Sequence, residues 1–237
     1  MTAALGSPHL HLRLTASTSD RARVLAAAGA PHGTLVTAGE QSAGRGRQGR
    51  AWVAPPGRAL LMSVLLRDPP DLVPLAAGVA VARACGPQAL IKWPNDIVFA
   101  GAEGAAPRKV AGILAEGRPQ EGWAIVGIGV NVAVQIAELP TELHDTAASL
   151  GLAPRDLPAV RDRVLTELER ALALDTTTLL RAWRERDALL GRQVAWAGGT
   201  GTAAGVDGAG RLVVDLPAGG HAALDAGEVH LGHAVAP

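Results

Sequence analysis

Residues 125–132, IVGIGVNV, constrain this chain more than any other stretch. In an extended segment successive side chains point to opposite faces. Val126, Ile128, Val130 and Val132 then form one fully apolar face, and Ile125, Gly127, Gly129 and Asn131 form the other. The apolar face belongs on a core. Two glycines on the opposite face weaken a central strand and mark a place where something approaches the backbone closely. A ligand is the preferred occupant; a tightly packed helix is the alternative.

The flanking sequence supplies the rest of a sheet. Strands are predicted at 34–38, 59–67, 89–93, 96–100 and 109–116, from short apolar or alternating runs bounded by turn residues. Ser17-Thr18-Ser19-Asp20 ahead of RARVLAAAG predicts a capped helix ending at Gly29. Residues 71–85 have helical length with Pro74 near the start, and 154–174 and 176–190 read as two amphipathic helices. Residues 39–50 read as a polar, glycine-rich loop and 101–108 as a flexible turn. After Gly191 the texture changes to short strand-like pieces between glycine-rich turns, the signal of a small all-β barrel. The expected architecture is α+β: a mixed, largely antiparallel central sheet with helices on one side in residues 1–190, and a small β unit in 191–237.

The 237 residues carry a formal net charge of +0, which argues against a general nucleic-acid binder while leaving room for a local basic patch. The single cysteine, Cys85, lies in an Ala/Val-rich run and reads as a buried small hydrophobe. The N-terminus lacks a basic segment followed by a long apolar one, and no run approaches the roughly 18 apolar residues that span a bilayer. A soluble cytoplasmic protein is expected. The histidines carry little: His9 and His11 read as surface or tail residues, and His221, His230 and His233 lack the spacing of a helical metal pair. Lysine and asparagine are nearly absent. Lys92, Lys109, Asn95 and Asn131 are the only ones, and all fall in segments unusual on other grounds.

Three further segments carry chemistry. In GRGRQGR (44–50) the glycines permit close backbone approach, and Arg45, Arg47 and Arg50 supply planar charged forks suited to phosphate. Trp52 offers a face for an adenine or a guanidinium. The segment is no P-loop, and a phosphorylated small molecule, a solvated basic loop and nucleic acid all remain open. KWPND (92–96) holds Asn95 and Asp96 behind a proline, suiting either a water-retaining Mg²⁺ or an ordinary turn cap. In KVAGILAE (109–116), alternation puts Lys109, Ala111, Ile113 and Ala115 on one face, with Val110, Gly112, Leu114 and Glu116 on the other. Lys109 then reaches either solvent or a reacting carboxylate and phosphate.

Taken together these residues resemble the biotin protein ligases. Ser17-Thr18, Gln41 with GRGRQGRAW, KWPND, K-x-AGIL-x-E and GIGVNV occur in the family's order. GVD-x-x-G-x-L and AGEV resemble its SH3-like end domain, so that the likeness runs over about 15–232. The resemblance implies a class II synthetase-like catalytic domain that uses ATP and Mg²⁺. Biotin's carboxylate would attack the α-phosphate of ATP, and a carrier-domain lysine would then take the biotinyl group as an amide. It implies that Lys109 and Arg47 are catalytic. Biotin would be lined by Ser17, Thr18, Ser19, Gln41, Arg45, Gly46, Arg47 and Lys109, over an apolar floor at Gly112, Gly127 and Gly129. ATP would meet Arg47, Arg50, Trp52, Asn95 and Asn131, with Asp96 near Mg²⁺. The partner is a biotin carboxyl carrier domain, a homodimer through an edge strand is possible, and neither nucleic acid nor membrane is expected.

The chain departs from the family pattern in three ways. Ser19 stands where the family usually has Asn; the loop through 100–107 is long; and no winged-helix segment precedes Ser17, from which a monofunctional enzyme is expected. The rivals are a lipoate or octanoate ligase on a related fold, a basic-loop nucleic-acid module, and a catalytically dead homologue. Intact Arg45, Arg47, Lys109 and Asp96 speak against the last.

Overall fold

A computed structural model describes residues 4–101, 105–225 and 229–231. Part of the long 100–107 loop, part of AGEV, and His233 lie outside them. Seven strands form the main sheet: β1 (His9–Leu12), β2 (Leu35–Ala38), β3 (Ala59–Arg67), β4 (Ala89–Lys92), β5 (Asp96–Phe99), β6 (Arg108–Arg118) and β7 (Trp123–Asn131). Their order is β1-β2-β3-β7-β6-β5-β4. β1 and β2 are parallel and every other pair is antiparallel, so the sheet is mixed but largely antiparallel as expected.

The sequence places β3 and β7 at the centre. ALLMSVLLR is buried on both faces except at its last residue, as a doubly covered strand requires. Its even-numbered side chains, with Val126, Ile128 and Val130 of β7, face a core capped by α2 (Val73–Cys85) and α3 (Leu157–Leu172). α2 is apolar all round because α3 and α4 (Thr176–Arg184) cover what the sheet does not. On α3, Val160, Val164, Leu168 and Ala171 form the single buried stripe of an amphipathic helix.

The expectation of helices on one side is corrected. α1 (Thr18–Ala27) packs on the opposite face, where Ala22 and Ala26 meet Val36, Leu65, Trp123 and Ile125. Small residues let the helix lie close. One further expectation changes. The helix predicted to reach 190 ends at Arg184, because residues 186–188 leave it to bond the edge strand β4: Ile91 N–H donates to Arg186 O, and Ala188 N–H to Ile91 O. His9 and His11 are exposed, as the surface reading has it, and belong to a strand. They lie on β1, with a ring nitrogen of each 2.8 Å from Thr37 Oγ1.

Beyond residue 190, β8 (Gln193–Trp196), β9 (Gly199–Val206), β10 (Leu212–Asp215), β11 (His221–Leu224) and β12 (His230–Leu231) form an antiparallel sheet ordered β11-β10-β9-β8-β12. Its five strands bear out the small all-β unit expected there, and among the described residues no pairing joins β11 to β12. It abuts the main sheet, where Trp93 Nε1–H donates to Gly210 O at 3.1 Å.

Candidate active site

The glycine face of β7 is covered, and by side chains from two neighbouring segments. A Cβ on Gly127 would stand 2.6 Å from Ser19 Oγ of α1, and one on Gly129 would stand 2.5 Å from the Trp52 ring. Trp52 also covers Gly112 of β6, where a Cβ would come within 2.9 Å of the indole. The close approach inferred from sequence is therefore real. Here its occupants are a helix hydroxyl and the indole that the sequence reading assigned to the nucleotide.

Trp52 reaches this floor because 44–52 folds into a tight hairpin. Trp52 N–H donates to Gly44 O, Gly46 N–H donates to Arg50 O at 2.7 Å, and a short 3₁₀ turn spans Arg47–Gly49. Gly44 is required there, since a Cβ would lie 2.5 Å from Trp52 O. The indole Nε1–H is buried and, among the described residues, has no hydrogen-bond partner.

Lys109 joins the same face through a correction to the simple alternation. The β5–β6 register shifts at Ile97/Val98: Ile97 pairs Ala111, whereas Val98 pairs Lys109. This bulge turns Lys109 from the Ala111 face onto the Gly112 face, where its Nζ lies 3.2 Å from a Cβ built on Gly112. Nζ lies 2.6 Å from Asp96 Oδ1 and 5.6 Å from the centre of the Trp52 ring. The backbone of Lys109 is anchored on its other side by Thr146 O and Ala148 N–H. Asn131 secures the same segment: its Nδ2–H donates to Ala148 O at 2.9 Å, and its buried Oδ1 lacks a partner among the described residues.

Arg47, on the hairpin's 3₁₀ turn, lies in the electrostatic field of Asp96. Burial pulls its guanidinium below the usual arginine value, the Asp96 carboxylate opposes that, and Arg50 adds to it. An arginine so placed stays cationic at neutral pH. Arg47 and Asn95 line a cleft of ≈ 400 Å³ that also takes in Pro94, Ile113, Gly210 and Asp225. Asn95 Nδ2–H donates to Ile113 O, which fixes the side chain against β6. A second groove, ≈ 490 Å³, lies between α2 and α3 away from these residues; among its lining residues, Glu167 is 3.9 Å from Arg83 and 2.6 Å from Arg170.

At the other end of the floor, Thr18 N–H and Oγ1–H both donate to Gln41 Oε1, at 2.7 and 3.0 Å. Ser17 caps α1, accepting from Asp20 N–H at 3.4 Å. Arg45 is turned to the rim, where it pairs with Asp20 at 2.6 Å beside Arg23 and Glu116. Of the sequence-predicted residues, Ser19, Trp52 and Lys109 therefore meet over Gly112, Gly127 and Gly129, with Asp96 on Lys109; Thr18 and Gln41 lie at the end of that floor, Ser17 is a helix cap, Arg45 is at the rim, and Arg47 and Asn95 line the neighbouring cleft. Sequence reasoning missed Ser63, buried at 0% exposure beneath Ser19, and the 146–150 segment behind Lys109. A lone serine in the apolar run ALLMSVLLR was the available signal for Ser63.

A mixed sheet with a glycine floor, an ion-paired lysine upon it and a half-buried arginine on the adjoining hairpin make an α+β domain with fixed positive charge near that floor. A model described as the Biotin/lipoate A/B protein ligase family matches residues 12–132. The bifunctional ligase/repressor BirA of Bacillus spizizenii is 40% identical over 166 residues, which cover 64% of this chain and 49% of that protein. The biotin–[acetyl-CoA-carboxylase] ligase of Mycobacterium tuberculosis is 33% identical over 240 residues, 91% of this chain and 85% of the relative. The structure of the biotin protein ligase from Aquifex aeolicus in complex with biotin and ATP aligns with a TM-score of 0.78 at 27% identity, over 96% of this chain and all of that one. This chain belongs to the biotin/lipoate A/B protein ligase family. It spans about half the length of the Bacillus relative it matches.

Proposed function

We propose that the protein activates biotin with ATP and passes the biotinyl group to a lysine of a biotin carboxyl carrier domain. One observation carries this reading: Lys109 stands 2.6 Å from Asp96 on the glycine side of the sheet, and the Arg47 guanidinium feels the field of the same carboxylate. A carboxylate attacking a phosphate brings two anions together, so fixed positive charge is what the step needs. In the first step a biotin carboxylate oxygen bonds the α-phosphorus and pyrophosphate leaves. In the second a neutral carrier amine bonds the acyl carbon, AMP departs, and the amine loses a proton.

Lys109 and Arg47 hold the carboxylate and α-phosphate, with the incoming anions replacing Asp96 as the partner of Lys109. Thr18, Ser19 and Gln41 meet the polar part of biotin, while Ser17 acts by capping α1. Gly112, Gly127 and Gly129 leave the floor low enough for a bicyclic ring once the Trp52 indole shifts toward the nucleotide. Arg50, Asn95 and Asn131 serve ATP; Arg45 and Gly46 close the hairpin over the product, keeping water from the mixed anhydride. Among the described residues no group of three His, Cys, Asp or Glu is assembled to hold a metal. Asp96 as a single carboxylate suits a Mg²⁺ that arrives on the phosphates and keeps most of its waters. The second sheet is read as an SH3-like unit starting near residue 191. A homodimer would use the β1 edge, since residues 186–188 already bond β4. Among the described residues no helix is long and apolar enough to cross a membrane.

ATP–pyrophosphate exchange tests this directly. Exchange is expected with biotin and absent without it or with lipoate in its place. Lys109→Ala and Arg47→Ala are each expected to lower the rate by about 10²–10³, with circular dichroism unchanged. Exchange driven by lipoate would move the assignment to lipoate ligation. Salt-sensitive DNA or RNA binding without exchange would move it to the nucleic-acid module.

A further inference from the structure

We propose that Ser63 on β3 is a positioning residue that sets which way Ser19 presents its hydroxyl to the substrate. This inference rests on the biotin-activating reading and deepens it. The proton directions follow from four contacts. The backbone N–H of Thr18 can only donate, so the atom of Gln41 facing it at 2.7 Å is the amide oxygen. Thr18 gives its one hydroxyl proton to the same oxygen at 3.0 Å. Ser63, 2.8 Å from Thr18 Oγ1, must therefore be the donor in that pair. Its single proton is then spent, so across the 3.0 Å contact with Ser19 it is Ser19 that donates.

The chain thus runs one way, from Ser19 through Ser63 and Thr18 to Gln41. Ser19 is left with lone pairs and no free proton, while Gln41 is left with its amide N–H groups. Ser19, Ser63 and Thr18 are 6%, 0% and 4% exposed, so water does not readily reset the order. Gly127 is what gives the chain room: it pairs with Ser63 in register, and any Cβ there would meet Ser19 Oγ. An acceptor at Ser19 and a donor at Gln41 would suit a cyclic urea, whose carbonyl is flanked by N–H groups.

Steady-state exchange kinetics on the full chain test the role. Ser63→Ala is expected to raise KM for biotin by roughly two- to tenfold, the scale of one hydrogen bond, with kcat and KM for MgATP within about twofold. Ser19→Ala should raise the biotin KM by about tenfold, and the double variant should go no further than Ser19→Ala alone, because Ser63 acts through Ser19. A biotin KM unmoved by Ser63→Ala, additive effects in the double variant, or parallel losses in kcat and both KM values would overturn the inference alone. A wild-type protein whose exchange ignores biotin would overturn the parent reading and the inference with it.

Discussion

At the residue scale, glycines decide what the sheet can accommodate. Gly127→Ala adds a Cβ 2.6 Å from Ser19 Oγ, and neither the capped helix nor buried Ser63 can retreat far. Overpacking of this kind costs about 1–3 kcal/mol. Gly208→Ala meets nothing within 4 Å and should stay within about 0.5 kcal/mol of the parent. Thermal melts of the two side by side check the contrast, with a fall of about 2–4 °C expected per kcal/mol. Cys85 offers a different probe. Burial pushes its thiol up to about 12 from an ordinary value of 9.0. At pH 8 it should react with a thiol reagent only as fast as the protein opens, and full reactivity should appear in denaturant. The linkage has a definite sign. The unfolded thiolate forms near pH 9 while the folded thiol stays protonated, so this group's contribution is complete below pH 9 and is lost as pH rises toward 12. At this scale the sequence disclosed that Gly127 and Gly129 face a close neighbour. It did not disclose the neighbours, because Ser19 and Trp52 arrive from segments 108 and 77 positions away from those two glycines, counted along the chain. Lys109 was assigned to the wrong face for a related reason: a one-residue bulge leaves no mark in an apolar alternation.

At the element scale, α2 shows packing overruling helix propensity. Gly78 sits inside the helix, where alanine would ordinarily be better by about 1 kcal/mol. A Cβ there would lie 2.6 Å from the ring of Trp183, a fully buried residue of α4. The clash outweighs the propensity, so Gly78→Ala should lower the urea midpoint; a raised midpoint would mean that α4 yields freely. Elements defined by their own periodicity were legible: β3 matches its predicted run at both ends, β7 takes in all but the last residue of IVGIGVNV, and α1 is capped by Ser17 as expected. Elements defined by a distant partner were not. HLHL is a strand because it lies parallel to β2, with both imidazoles on Thr37. α4 stops at Arg184 because Arg186 and Ala188 bond β4. α1 covers the second face of the sheet because of a small-residue stripe that four alanines in one run could only suggest.

At the scale of the whole molecule, the two sheets share one apolar cluster, which continues from Val126 and Ile128 through Leu189 to Val194, Leu212 and Val214. The change of texture after Gly191 therefore marks a change of architecture more than a break in the core. Their seam holds a cleft as well as packing. Arg47 and Asn95, proposed to serve the nucleotide, share the ≈ 400 Å³ cleft with Ala209, Gly210 and Asp225 of the second sheet. That volume lies within the range of small-ligand sites, about 300–1,000 Å³. The glycine floor proposed for biotin lies on β6 and β7, under Trp52, and none of its three glycines lines the cleft. If the nucleotide extends along the seam, filling the seam should separate the two substrates. Ala209 is exposed on a turn, so Ala209→Trp should leave stability within about 0.5 kcal/mol. It should raise KM for MgATP by about tenfold or more, while biotin titrated alone, followed calorimetrically, binds as tightly as to the parent. Equal loss of both substrates would mean that the indole-covered floor and the seam form one continuous cavity. No loss of either would remove the second sheet from the reaction and leave it a purely structural buttress for Trp93.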